Sequence, residues 1–231
     1  MPLSRNAFKR LHYPVDIIAQ CVRGYLAYAL SLRNLEEMMA ERGIAVDHST
    51  LSRWVHRRVP LLVKRYRRCK PDVGHRWRMD ETDIKIKGQW KYLYRAVDSD
   101  GKTVDFLLTA RRDKSSALRF FKKAMRQHGQ PDVVTMDKSG ANKAAVDELN
   151  QGKPKEEAIV IRQNKYLNNL IEQDHRNIKR RIHPMLGFKH FRRAQTLLSG
   201  IELVSMLRKG QYPQEPECFL SPADFFYQLA A

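Results

Sequence analysis

The sequence predicts an α/β domain with a mixed sheet covered by helices, preceded by an all-helical segment. Three observations carry that prediction. Apolar residues recur at helical spacing as far as Arg68; the pattern changes to alternation at Trp77; beyond it, short apolar runs alternate with helical stretches. A chain of 231 residues has room for one core domain and a smaller one, and 42% hydrophobic residues are enough to fill a core.

In the first helix Ile18, Cys21, Val22, Tyr25, Leu26 and Ala29 fall three and four apart, the mark of one buried face. Ser31 is placed to cap a second helix striped by Leu32, Leu35, Met38 and Met39, and Gly43 suits the chain just past its end. Asp47 caps a third helix with Leu51, Trp54 and Val55 turned inward. Helix, helix, short turn, helix is the layout of a helix-turn-helix DNA reader. On the third helix Ser49, Arg53 and His56 share the opposite face, with Ser52 and Arg57 beside them. Hydroxyls and guanidinium groups there can reach base edges and phosphates, and the competing reading is a solvated face of a three-helix bundle. Residues 1–63 are accordingly read as a DNA-binding domain, with Ser49, Ser52, Arg53 and Arg57 as its contacts. The run KRYRRCKPDVG, residues 64–74, is read as a basic linker.

Residues 75–231 are expected to form the α/β domain, closing with a C-terminal helix. WRMDETDIKIKG alternates and stops at Gly88; WKYLYRAVD follows a Gly-Gln turn, and TVDFLLTA follows SDGK, which makes a three-strand meander. DKSSALRFFKKAMRQHG is helical, with Leu118, Phe121 and Met125 inward. PDVVTMD reads as a short buried parallel strand, SGANKAAVDELNQG as a helix and EAIVIRQ as a fifth strand. NKYLNNLIEQDHRNIKRRI and FRRAQTLLSGIELVSMLRKG are two further helices.

Lys and Arg number 43 against 25 Asp and Glu, a net charge of +18. Such a charge on a folded chain is costly self-repulsion unless a polyanion neutralises it. The basic residues run from Arg5 to Arg208, so the charge belongs to a face and not to a tail; nucleic acid is the expected partner, with an anionic membrane as runner-up. Cys21, Cys69 and Cys218 form no C-x-x-C pair, which argues against a disulfide framework or a thiolate zinc site and fits a reducing cytoplasm. The opening MPLSRNAFKRLHYP lacks an apolar signal core, and no stretch approaches the roughly 18 apolar residues of a membrane span, so a soluble, intracellular protein is expected.

Three carboxylates on separate elements suggest one chemistry. Asp80 lies within the first strand, sharing a face with Arg78 and Thr82 while Met79 and Glu81 point the other way. Asp137 ends the fourth strand; its bland reading is a turn residue before Ser139-Gly140. Glu172 lies on the long helix. With Leu167 at zero, Ile178, Ile171 and Ile182 fall at roughly 20°, 40° and 60°, and His175, Asn168, Lys179 and Glu172 at roughly 80°, 100°, 120° and 140°. Glu172 thus borders the buried face, and a plain helix salt bridge to Arg176 is the alternative. Asp80, Asp137 and Glu172 can meet only where the first strand is central and the fourth strand and the helix are its neighbours. In-line displacement at a phosphodiester puts charge on both the attacking and the leaving oxygen, which two divalent ions roughly 3.5–4 Å apart stabilise. Hard carboxylate oxygens select Mg²⁺.

MDET, VDSDGKTVDF, MDK and NNLIEQDHRNIKR, in that order, resemble the DDE transposases of bacterial insertion sequences, in the group named after the sixth insertion sequence. The 34 residues between Asp137 and Glu172 match that group's spacing, and Lys179 follows the glutamate by seven, where such enzymes place a DNA-contacting cation. ERGIAVDHSTLSRWVHR, LGFK and GIELVSMLRKGQ extend the resemblance over nearly the whole chain. It implies an RNase H-like, retroviral-integrase-like core behind the helix-turn-helix domain. It implies Asp80, Asp137 and Glu172 as catalytic metal ligands for two Mg²⁺ ions, with Mn²⁺ as the substitute. It implies double-stranded DNA partners (terminal inverted repeats and target), 3′-end cleavage, strand transfer and cointegrate formation. A homodimer or higher synaptic oligomer in the bacterial cytoplasm, at the nucleoid, follows from the need to join two ends. One departure is visible: Asp83 follows MDET where the group has an aromatic residue, an added carboxylate that bears on metal occupancy or pairs with Lys85. Glu81, Asp98, Asp105 and Asp174 are expected to be structural or surface groups. His175 is read either as a DNA contact or water-orienting group, or as a polar neighbour. Against the rivals, a regulator needs no acidic triad, a nuclease needs no sequence reader, a glycosidase gains nothing from +18, and no serine has a recombinase-like setting.

Overall fold

The computed structural model describes residues 13–163, 169–185, 187–214 and 219–231. Leu167, Asn168 and Cys218 lie outside the described residues, as does the expected opening segment up to residue 12. The chain divides into two compact units, Met1–Pro71 with Ile178–Ala231, and Asp72–Asn177. This differs from the expected division at 63, 74 and 75.

The first unit is helical: α1 (Val15–Ala27), α2 (Leu32–Ala40), α3 (His48–Tyr66), a 3-10 turn (His183–Met185), then α7 (Phe191–Arg208) and α8 (Pro222–Ala230). Ser31 caps α2 through a reciprocal pair of bonds with Asn34, and Asp47 caps α3 by accepting from the Ser49 and Thr50 amides. Of the expected apolar stripe on α1, Ile18 through Leu26 are buried, whereas Ala29 lies exposed beyond the helix end. Leu51, Trp54 and Val55 are buried on α3 as expected.

The expected linker start at residue 64 falls inside α3. The buried face continues through Leu62 to Tyr66, whose hydroxyl donates to the Gln211 carbonyl at 2.6 Å, so the helix persists past the boundary. The helices expected to finish the α/β domain pack instead on the N-terminal ones. Gly200 of α7 has Leu26 and Val59 so close that a Cβ would stand 2.7 Å from Leu26 Cδ2 and 3.1 Å from Val59 Cγ1. Arg208 donates to the Ala27 carbonyl at 2.9 Å, and Arg65 to the Leu229 carbonyl at 3.2 Å. Helical periodicity says that a face is buried, not which core receives it.

The second unit is a five-stranded sheet in the order β3-β2-β1-β4-β5. β1 (Arg76–Ile86), β2 (Gln89–Val97) and β3 (Thr103–Thr109) form the expected antiparallel meander, and β4 (Val133–Met136) and β5 (Val160–Gln163) add in parallel. This mixed sheet, with the first strand in the middle, is the RNase H-like arrangement. The tip of the first hairpin is Lys87-Gly88, both at positive φ, and not the expected Gly-Gln pair. α4 (Lys114–His128) and α5 (Gly140–Asn150) cover the face carrying Trp77 and Met79, where Tyr94, Phe120, Phe121, Ala145 and Val146 close the core. On α4 the wholly buried positions are Ala117, Phe120, Phe121 and Ala124; the expected Leu118 and Met125 are half-buried at the margin. α6 (Asn169–Ile182) is divided between the units after Asn177.

Candidate active site

β1 is central, and its register fixes what stands beside Asp80. β1 pairs with β4 in parallel, Arg78 opposite Thr135. β4 ends at Met136, so Asp137 follows the strand directly, and its charge is felt at Asp80. On the other side Asp80 lies opposite Arg95 of β2. Arg95 is wholly buried and donates through Nη2 to Asp174 Oδ2 of α6 at 2.7 Å. That ion pair lays the first part of α6 over the Asp80 face, and His175 Nδ1 comes within 3.6 Å of Asp80 Oδ2. Glu172, three residues before His175, is exposed at the rim of this face.

The carboxyl of Asp80 is four-fifths removed from solvent. Burial raises its pKa to about 7, helped by the charges of Glu81, Asp137 and Glu172 and opposed by the Glu81 backbone amide. Asp137 and Glu172 are thus both within electrostatic reach of Asp80. They do not close into a cage: among the described residues no three His, Cys, Asp or Glu side chains gather closely enough to hold a metal ion. The oxygens of Asp137 are turned to the protein, Oδ1 accepting from the Ser139 amide at 3.0 Å and Oδ2 from Arg112 Nη2 at 3.4 Å. The donor set, three hard carboxylates of which one is poorly tolerated as an anion, fits a divalent oxygen-seeking cation.

Arg112 was not anticipated. Its guanidinium bridges Asp137 and Glu81, whose side chain is only 2% exposed and also accepts from Asn142 Nδ2 at 2.9 Å. Burial disfavours the charge on Arg112, but Glu81 and Asp137 more than reverse that and raise its pKa. Nothing local in RRDK distinguishes this arginine from Arg111. Arg95 was legible in principle, because a hairpin tip at Lys87-Gly88 puts it opposite Asp80, whereas a tip at Gly88-Gln89 puts Val97 there.

The other carboxylates fall into the expected structural roles. Asp174 and Asp105 are buried in ion pairs, the latter with Lys123 at 2.6 Å. Asp98 organises the second turn by accepting from the Gly74, Asp100 and Lys102 amides. Asp83 is exposed on the face opposite Asp80. His175, grouped above with the DNA contacts, is buried, with Nδ1 3.6 Å from Asp80 Oδ2. Lys179 is exposed in the last turn of α6. Ser49 hydrogen-bonds Asp47 at the start of α3, while Ser52, Arg53 and Arg57 line an open groove in the helical unit. Among the described residues no helix is long and apolar enough to cross a membrane.

A family model described as a DDE domain matches residues 74–211, and one described as the IS66 transposase family matches residues 10–137. The transposase of the insertion sequence-like element IS431mec of Staphylococcus aureus is 40% identical over 205 residues, covering 88% of this chain and 89% of that one. The transposase of IS257 in transposon Tn4003, also of Staphylococcus aureus, matches with the same identity and coverage. Among solved structures, the HTLV-2 integrase catalytic core in complex with magnesium aligns with a TM-score of 0.45 at 16% identity, over 58% of this chain and 87% of that one. With the matches spanning nearly its whole length, the chain belongs to the DDE transposases of bacterial insertion sequences, in the IS6 (sixth insertion sequence) family, and is a polynucleotidyl transferase.

Proposed function

We propose that this transposase binds the terminal inverted repeats of its element through the helix-turn-helix segment of residues 1–63. It then cleaves 3′ ends and joins them to target DNA at Asp80, Asp137 and Glu172. The observation that carries the proposal is the position of Asp80: central in the sheet, largely buried, with Asp137 and Glu172 in electrostatic reach. Those three side chains would hold the divalent metal, two Mg²⁺ ions with Mn²⁺ as substitute. Bound there, the metal supplies Lewis-acid stabilisation of the attacking and leaving oxygens.

The chain's own groups do the rest. Asp137 is kept at the strand end by the Ser139 amide and Arg112. The Arg95–Asp174 pair holds α6 so that Glu172 stands at the rim of the Asp80 face, and Lys179 offers a cation to the phosphate backbone. In the first step water attacks the phosphodiester at the element's end, breaking the bond to the 3′ oxygen and leaving a free 3′-hydroxyl. In the second that hydroxyl attacks a target phosphodiester, forming the new linkage and expelling a target 3′-hydroxyl. No covalent protein–DNA bond is needed, and replication of the joined product gives a cointegrate. Two ends must be brought together, so the acting species holds at least two chains.

The test is Glu172→Gln, assayed with duplex carrying the element's end and a target plasmid. The variant should keep end binding and lose both nicking and joining. Retained joining would remove Glu172 from the chemistry, and cleavage that survives chelation of divalent ions would remove the metal.

A further inference from the structure

The groove between α3 and α7 of the helical unit encloses about 570 Å³. Arg53, Arg57 and His56 of α3 line one wall, and His190, Arg192 and Arg193 at the start of α7 line the other. Ser52 and Thr196 complete the lining; no carboxylate takes part.

Four guanidinium groups facing one open space repel one another. His56 beside them has its pKa lowered first by burial and then by the charge of Arg193. In the sheet unit, by contrast, Arg95 and Arg112 have acidic partners. A groove that keeps its cations apart from the chain's own acids is built for an anion from outside.

The walls are also fixed before any ligand arrives. Trp54, Val55 and Val59 bury the back of α3, and Ala194, Leu197, Leu198 and Ile201 that of α7. At Gly200 the absence of a side chain lets α7 approach Val59 and Leu26 closely.

The geometry points to a binding site for the sugar-phosphate backbone of duplex DNA, in which Arg192 and Arg193 of α7 supplement the α3 reader. Every lining group offers a hydrogen-bond donor or a positive charge, which suits phosphate oxygens. The cations lie along two helices and not around a point, which suits a chain of phosphates. The net charge of +18 agrees with a polyanion of that size. The site rests on the reading of α3 as the element-end reader, but gives α7 a role of its own. α3 would choose the sequence, and α7 would grip the backbone irrespective of sequence.

The experiment uses the full-length protein with two duplexes, one carrying the terminal repeat and one scrambled, titrated at several salt concentrations. Arg192→Gln/Arg193→Gln should weaken binding to both duplexes by the same factor, about tenfold to a hundredfold at moderate salt. It should also flatten the log–log salt dependence by about 1.8, the loss of two phosphate contacts. Arg192→Lys/Arg193→Lys should restore the slope. Both arginines are exposed, so melting curves should be unaltered. Unchanged affinity and slope in the glutamine pair overturns the site. So does a loss confined to the terminal repeat, which would make α7 a base reader, and so does an equal loss in the lysine pair. Arg53→Ala tests the other reading separately: if it leaves end preference intact, the α3 assignment fails, whatever the α7 variants do.

Discussion

In the sheet unit Arg95 meets Asp174, Lys123 meets Asp105, and Arg112 meets Glu81, each acid at least nine-tenths buried. In the helical unit Arg53, Arg57, Arg192 and Arg193 face one groove with no acid in its lining. The contrast separates two uses of charge. Buried pairs fix a scaffold, since each partner makes the other tolerable away from water. Unmatched cations on an open surface store repulsion that only an external anion relieves. The Asp80 site belongs to the second kind with the sign reversed: carboxylates raise the pKa of a neighbour, and a cation would settle them. One chain thus carries a cluster of carboxylates around Asp80 in one unit and a groove lined with cations in the other.

The sharpest break in this comparison comes at the acidic centre. Asp80→Asn removes a charge that the proposal uses only in chemistry. Strand transfer should fall about a thousandfold or more, the several kcal/mol that metal-assisted stabilisation supplies. Equilibrium stability should hold or rise, because a poorly tolerated buried anion is gone. Strand-transfer assays beside urea unfolding would check both, and a large loss of stability would mean that Asp80 is a scaffold residue after all.

Asp174→Asn should behave in the opposite way. It deprives the wholly buried Arg95 of its 2.7 Å carboxylate acceptor, and breaking a buried pair from one side costs about 3–5 kcal/mol. The loss should appear in unfolding of the sheet unit, with activity falling further than the folded fraction because the pair also positions the helix that carries Glu172. Replacing Arg95 and Asp174 together by Met and Leu should recover most of the stability. A single variant as stable as the parent would show that the pair does not hold α6.

How far the sequence foretold this arrangement depends on the range of the interaction. Caps at Ser31 and Asp47, the alternation along β1 and the hairpin-connected order of β1 to β3 are set by neighbours in the chain, and all are present. The central place of β1 was only a condition for the three carboxylates to meet, because a parallel strand could equally have added beside β3. Errors entered where a choice lay between near-equal local options or between distant partners. Gln89 took the place of Lys87 in the expected turn, and with that one-residue slip Arg95 disappeared as the neighbour of Asp80. α7 carries a buried face that either unit could have received. Asp174 and Glu172 are both acids two positions apart on one helix, and only tertiary packing makes one a buried anchor and leaves the other at the rim. The family resemblance supplied that distinction before the fold did.

A smaller effect probes how the helical unit is held together. Gly200→Ala puts a methyl 2.7 and 2.9 Å from the two Leu26 methyls and 3.1 Å from Val59, all on buried side chains. Leu26 can turn, but the β-branched Val59 has little freedom. The expected cost is about 1–2 kcal/mol, within the range for overpacking. DNA affinity should fall with it as the walls of the groove part, while any metal binding at the acidic centre stays unchanged. If affinity survives, the groove does not need its close helix contact.

The smallest expected effect lies at the start of α3. Hydrogen bonds from the Ser49 and Thr50 hydroxyls and amides hold the Asp47 carboxyl well below the usual carboxylate range. A group whose folded pKa is depressed contributes stability that is present above its unfolded value and is lost as pH falls through the folded one. Asp47→Asn keeps a capping acceptor but removes the charge at the helix start. The parent should therefore melt slightly higher than the variant at neutral pH. The gap should stay open as pH is lowered to 3.8, the ordinary value for the group, and close only below it. A gap that closes well above that value would place its origin in some other titrating group. A gap that never closes would mean that the geometry of the cap, and not its charge, is what α3 requires.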